Sequence, residues 1–261
     1  SGVGFLILNL AVIGLMKRKE FSFQIRFLTL GLFILVCIQG AFGALTVTLK
    51  LQPIIVSTHL LLALLLLVGL TVLQDKTAPR TQNFVKDPSY KISYAIVLLC
   101  VCVLQIFLGA WVSTNYAVLA CHDFPTCNGS LLPQMDLNNG FTFWRELGKT
   151  SDGEYLPIEA LIAIHWVHRV FALVVFVTII TFYFKNKKIA APKSSLWQCR
   201  LNTWLNVLIS IAALQLLSGL SNIVLQWPIV AALVHSAGAA LLILTVTKLV
   251  LLATAKPSIN Q

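Results

Sequence analysis

The sequence predicts an all-α polytopic membrane protein made of two parallel four-helix repeats. Three observations carry that reading. Of 261 residues, 58% are apolar and only 11% charged, with a mean hydropathy of +0.87, against roughly 25% charged residues in ordinary globular domains. The apolar residues fall into long runs whose basic flanks alternate from side to side. A polar pattern in the second and third runs also returns 176 positions later.

The runs fall at about 1–16, 27–49, 53–74, 92–115, 158–184, 202–225 and 229–252. Six are long enough to cross about 30 Å of hydrocarbon at 1.5 Å per residue. The first, of 16 residues, is short by about one turn. It has neither a cap nor a polar leader, and no cleavable signal peptide is visible at Ser1-Gly2-Val3-Gly4-Phe5.

Charge assigns the sides. Lys17, Arg18, Lys19 and Arg26 follow the first run, and Lys76, Arg80, Lys86 and Lys91 follow the third. Lys185, Lys187, Lys188, Lys193 and Arg200 follow the fifth, and Lys248 and Lys256 close the chain. The alternate connections hold most of the acids: Asp123, Asp136, Glu146, Asp152, Glu154 and Glu159. Basic residues concentrate on cytoplasmic loops, so the first set is expected inside. The net charge of +10 is therefore a statement about topology, and no nucleic-acid partner is expected.

The repeat carries most of the argument. Gln39 and Gln215, Gly43 and Gly219, and His59 and His235 are each 176 positions apart. Pro53 and Pro228 open the following helix in each copy, one residue out of step, and proline is favoured at a helix start. Both pairs run the same way, so the repeat is parallel. Gln105-x-x-x-Gly109 repeats the signature once more. The second copy has four helices and the first shows three. The expectation is an intact protein of eight transmembrane helices, about six and a half of them present here. The expected divisions are a first repeat over 1–74, a cytoplasmic linker over 75–91 and a second repeat over 92–252. The second repeat carries an outer loop, 116–157, and a cytoplasmic tail covers 253–261.

The candidate site lies in Ile164-His165-Trp166-Val167-His168-Arg169. Imidazoles and a guanidinium inside hydrocarbon must find partners. His165 and His168 share a helix face, and Arg169 needs an anion. A polar cluster snorkelling to the interface is the alternative to a buried ligand site. His59, His168 and His235 all fall in the outer third of inward-running helices. Paired imidazoles from facing helices of a bundle are how haem iron receives two axial ligands. Zinc or copper would want further ligands, and no Cys, Asp or Glu stands at that depth. Around His235, Ser236, Ala237, Gly238, Ala239 and Ala240 are small enough for a flat ligand to approach, although small residues also pack membrane helices.

In the outer loop, Cys121-His122-Asp123-Phe124-Pro125-Thr126-Cys127 suits a disulfide between Cys121 and Cys127 on an oxidising face. A metal site through His122 is the alternative, and a staple competes with a redox relay. Cys37, Cys100, Cys102 and Cys199 read as packing residues or reduced thiols.

Together, Ala120-Cys121-x-Asp123-Phe124-Pro125-x-Cys127-Asn128-Gly129, Ala163-Ile164-His165-x-x-His168-Arg169 and the Gln-x-x-x-Gly helices resemble the haem A synthase family of bacteria and mitochondria. The resemblance covers nearly the whole chain. It implies oxidation of the C8 methyl of haem O to the formyl of haem A for cytochrome oxidase assembly, through two hydroxylations and loss of water. It implies a haem b cofactor between His168 and His235, with His165 and Arg169 serving a propionate or supporting a ligand. It also implies His59 as one axial ligand of the substrate haem. In that family the first half carries Glu-x-x-His-Arg, and those positions fall before Ser1, so the essential Glu and the second His are expected upstream.

The implied partners are haem O, haem O synthase, oxidase assembly factors, an electron acceptor or donor, the lipid bilayer and a second copy of the chain. The implied location is the bacterial inner membrane (the mitochondrial inner membrane in a eukaryote), histidines toward the periplasm. A bis-His dihaem cytochrome and a repeat-built transporter are the alternatives.

Overall fold

The computed structural model describes residues 2–17, 19–78, 87–190 and 195–254. Every predicted apolar run is a helix. They are α1 (Gly2–Met16), α2 (Phe23–Thr48), α3 (Pro53–Thr77), α4 (Ile92–Thr114), α6 (Ile158–Ala190), α7 (Leu196–Val224) and α8 (Ile229–Thr254), with a short α5 (Leu137–Gly140) in the outer loop. Six are long and apolar enough to cross a membrane, and α1 is shorter. The protein is a multi-pass, all-α membrane protein, as its composition predicts. Phe5, Phe27, Leu173, Leu217 and Leu233 are each more than 60% exposed, which suits helices whose solvent is lipid.

The ends follow local chemistry. Ser22 caps α2 by accepting from the Ile25 amide, Pro53 opens α3, and Ser195 with Gln198 forms a capping box at α7. Helices α2, α3 and α8 outrun their predicted bounds by two to four residues, and α6 and α7 by six each. Helix α6 continues past 184 to Ala190, and α7 begins at Leu196 rather than 202. Polar side chains hold these extensions: Asn186 donates to the Phe182 carbonyl, and Lys187 Nζ reaches Asn202 and Asn206 across the pair at 2.5 and 2.8 Å. Hydropathy marks where hydrocarbon begins, and hydrogen bonding carries the helix beyond it. Arg18, Arg80, Lys86, Lys193 and Lys256, with 79–86 of the expected linker and 255–261 of the expected tail, lie outside the described residues.

Helices α4, α6, α7 and α8 form a ring. Helix α4 touches α6 and α8, α7 touches α6 and α8, and among the described residues the diagonal pairs α6–α8 and α4–α7 do not approach. Helix α1 packs on α2 and α2 on α3, while α3 leans on the ring through α4 and α8. The main core fills the lysine-rich half of the ring, with Leu98, Ile179, Trp197, Leu201, Leu205, Leu208, Val246 and Leu249 all buried. Tyr90 and Trp197 donate to the last carbonyls of α8, at Leu249 and Leu252. His168 and His235 lie outward of this packing, toward the loop end.

The repeat reaches the turns. After α2, the amides of Leu49, Lys50 and Leu51 bond to Leu45, Val47 and Thr46. After α7, the amides of Leu225, Gln226 and Trp227 bond to Ser221, Ile223 and Asn222. Each member of these bonds is displaced by 176. Both turns put two consecutive non-glycine residues at positive φ, Lys50 and Leu51 in one, Gln226 and Trp227 in the other. Copy one then spends one extra residue, Gln52, before its proline. That accounts for the single step between Pro53 and Pro228.

Candidate functional site

Each Gln-x-x-x-Gly motif faces one histidine. A Cβ built on Gly43 would lie 3.2 Å from His59 Cε1, one on Gly109 3.0 Å from His168 Cε1, and one on Gly219 3.3 Å from His235 Cε1. In each case the bare backbone of one helix lets an imidazole from its neighbour lie against it. The spacing in the sequence marked the motif. The structure supplies its purpose, which is to seat a ring.

The glutamines differ. Gln39 Nε2 is 3.4 Å from His59 Nε2. Gln105 Nε2 is 3.2 Å from His168 Nδ1 and donates to the His168 carbonyl. Gln215 Nε2 leaves the ring alone and donates to the His235 carbonyl at 3.0 Å. Gly238 makes that reach feasible, because a Cβ there would come within 2.1 Å of Gln215 Nε2. This corrects the expectation that Gly238 opens the helix to a ligand: it is buried against α7. Ser236 and Ala237 remain exposed.

Ser218 was not foreseen. Its hydroxyl donates to the Leu214 carbonyl at 2.7 Å, and its oxygen lies 3.0 Å from His235 Nδ1. A hydroxyl has one proton. With that proton on Leu214, the contact to His235 is an Nδ1–H donating to Oγ. The imidazole then keeps its free lone pair on Nε2, the atom a metal would take. The only signal in the sequence was a hydroxyl directly before the glycine of one motif.

His165 and Arg169 serve the loop. Arg169 Nε donates to His165 Nε2 at 3.1 Å. Its Nη1 donates to the carbonyls of Asp123 and Thr126, and Nη2 to that of Cys121, at 2.8, 3.0 and 2.9 Å. The guanidinium thus meets three carbonyl dipoles and an imidazole lone pair. Among the described residues these bonds use four of the five guanidinium N–H groups. His165 is 4% exposed and meets Arg169 one turn along, whereas His168 turns toward α4.

The predicted disulfide forms: Cys121 and Cys127 are bonded, with Cα atoms 4.7 Å apart. Inside that loop the Asp123 carboxylate accepts from the Thr126 hydroxyl and from the amides of Gly129 and Asn128. These bonds hold its carboxyl down to about 2. Their contribution is therefore complete above the ordinary carboxylate value and is lost only as pH falls toward 2. Trp166 Nε1 donates to the Leu131 carbonyl, closing the loop over α6. His122 is exposed, and no group of three or more metal-binding side chains forms among the described residues. Of the other cysteines, Cys102 is buried and Cys37, Cys100 and Cys199 are exposed.

Elsewhere in the loop, Arg145 is 3% exposed, lies over the Trp111 ring and donates to Asn115 Oδ1. Burial lowers its affinity for the proton.

The fold and site define a polytopic helical membrane protein that presents imidazoles from neighbouring and diagonal helices near one membrane face. The chain belongs to the COX15-CtaA family of cytochrome oxidase assembly proteins, whose model matches residues 1–247. It is 32% identical over 220 residues to a protein named heme A synthase from Shewanella oneidensis, covering 84% of this chain and 64% of that one. A heme A synthase of Methylobacterium radiotolerans is 30% identical over 213 residues, covering 79% and 53%. One from Alkalihalophilus pseudofirmus is 26% identical over 246 residues, covering 90% and 70%. The chain thus spans less than two thirds of the length of the first two relatives.

Proposed function

We propose that this chain carries haem A synthase activity, converting the C8 methyl of haem O to the formyl of haem A for cytochrome oxidase assembly. One observation carries the reading. His168 and His235 stand on the diagonal helices of the ring, outward of its core, each seated on a glycine. A bis-His haem would need two imidazoles facing each other across a bundle, and His168 and His235 stand on helices that face across the ring.

In this reading 92–252 is the cofactor half, with His168 and His235 as axial ligands of haem b. The stretch 1–74 belongs to the substrate half, with His59 as a ligand of haem O; 75–91 is the cytoplasmic linker and 253–261 the cytoplasmic tail. The residues fit the group: an Nδ1–H tautomer of His235, bonded to Ser218 Oγ, would leave Nε2 free for iron, and glycines 109 and 219 back both rings. When bound, haem iron supplies the redox chemistry that side chains lack. The protein's own share is placement. Gln105 and Gln215 fix the imidazole-bearing backbones, and the disulfide loop, clamped on Arg169, covers the site from outside. Arg169 retains one N–H for a propionate, and His165 supports Arg169 rather than the ligand. The basic end faces the cytoplasm, so the histidines lie toward the periplasm of a bacterial inner membrane. Haem O synthase and oxidase assembly factors are the proposed partners, with an electron acceptor or donor and a second copy of the chain.

The test is pigment. Haem extracted from the purified full-length protein and separated by type should contain haem b together with haem O or haem A. Haem b alone would replace this reading with an electron-transferring dihaem cytochrome. No haem at all would leave the transporter.

A further inference from the structure

The three motifs differ at the residue before the glycine: Phe42 in α2, Leu108 in α4 and Ser218 in α7. Only the third carries a hydrogen-bonding group, and it stands 3.0 Å from the ring it faces. The residue is 6% exposed, where an unbonded hydroxyl would be unfavourable, and its oxygen lies within hydrogen-bond reach of the Leu214 and Gln215 carbonyls and of His235 Nδ1. By contrast, His59 Nδ1 is buried without a partner among the described residues. His168 Nδ1 faces an amide nitrogen, which can only donate.

We propose that Ser218 is a positioning residue that holds His235 in its Nδ1–H tautomer and makes it the strongest electron donor among the candidate axial ligands. An imidazole whose Nδ1–H is bonded to an acceptor is a more basic ligand at Nε2. A more basic axial ligand favours ferric over ferrous iron, so the hydroxyl lowers the potential of the haem in the second half. Phe42 withholds that effect from His59. The two halves therefore differ in ligand strength although their turns and motifs match in register. A firmly held, low-potential haem suits a resident cofactor, and a weaker ligand suits a haem that must leave. The proposal rests on His235 being an axial ligand of haem b.

The experiment uses the full-length protein with its resident haem, comparing Ser218→Ala, Ser218→Thr and Ser218→Cys with wild type by redox titration and by haem transfer to apomyoglobin. Ser218→Ala should weaken the preference for ferric iron about tenfold, within the range of supporting-residue effects. That is an upward shift of roughly 59 mV for a one-electron couple. Transfer to apomyoglobin should quicken by a similar factor. Thr should restore both values, and Cys, a poor acceptor, should fall between. If Ala fails to fold, the Cys and Thr variants still give the ordering. Unchanged potentials in haem-loaded variants overturn the proposal, as does a fall in haem content with the potential of the remainder unchanged. If His235→Ala leaves the haem b spectrum intact, the parent reading fails instead.

Discussion

The α2–α3 pair and the α7–α8 pair share a plan and differ in its polar detail. Their turns carry matching backbone bonds displaced by 176, and each seats a histidine on a glycine. Yet His59 meets its glutamine at the ring, while His235 meets its glutamine at the main chain and a serine at the ring. Two substitutions account for the divergence. Gly238, which admits Gln215, is matched by Leu62 in copy one, and Ser218 is matched by Phe42. The lesson is that a repeat sets where a ligand stands, and single residues around it set what kind of ligand it is.

The seating glycines offer the strongest handle on this comparison. Gly219→Ala and Gly109→Ala put a methyl 3.3 and 3.0 Å from an imidazole carbon, closer than the 3.5–4.0 Å at which carbon atoms are attracted. Haem b content of the purified protein should fall severalfold in both, more in Gly109→Ala. Gly43→Ala should leave it unchanged and act only on the substrate haem. Equal loss in all three would mean that the halves are not separate sites.

A smaller effect is expected from the clamp that only the second half possesses. Arg169→Ala strands three loop carbonyls and the Nε2 of His165, a loss on the order of 3 kcal/mol. Cys121→Ser with Cys127→Ser opens a short loop and should lose roughly 2 kcal/mol, because Arg169 still grips the carbonyls. Thermal unfolding in detergent ranks them. A larger drop for the cysteine pair would make the disulfide, not Arg169, the main fastening.

Much of this was legible in the sequence because membrane helices announce themselves by length and the repeat by spacing. The seven runs, the three histidines and the Cys121–Cys127 pair all came from one-dimensional signals. What escaped were interactions whose partners are set by depth and rotation. The three carbonyl partners of Arg169 are invisible in the sequence, since nothing in it says that the loop folds back to offer them. The Gly238 stretch looks open in the sequence because small residues look alike whether they face a ligand or a glutamine. Hydropathy ends α6 at 184 and starts α7 at 202 because it does not register a lysine bridging two asparagines.

The central claim is that the second half holds a haem b through His168 and His235 while His59 serves a different haem. The direct measurement is the reduced-minus-oxidised spectrum of tightly bound haem b in purified full-length protein bearing His59→Ala, His168→Ala or His235→Ala. The account predicts loss of that signal in the His168 and His235 variants and its survival in the His59 variant. Equal loss in all three, or survival after either second-half substitution, would contradict it.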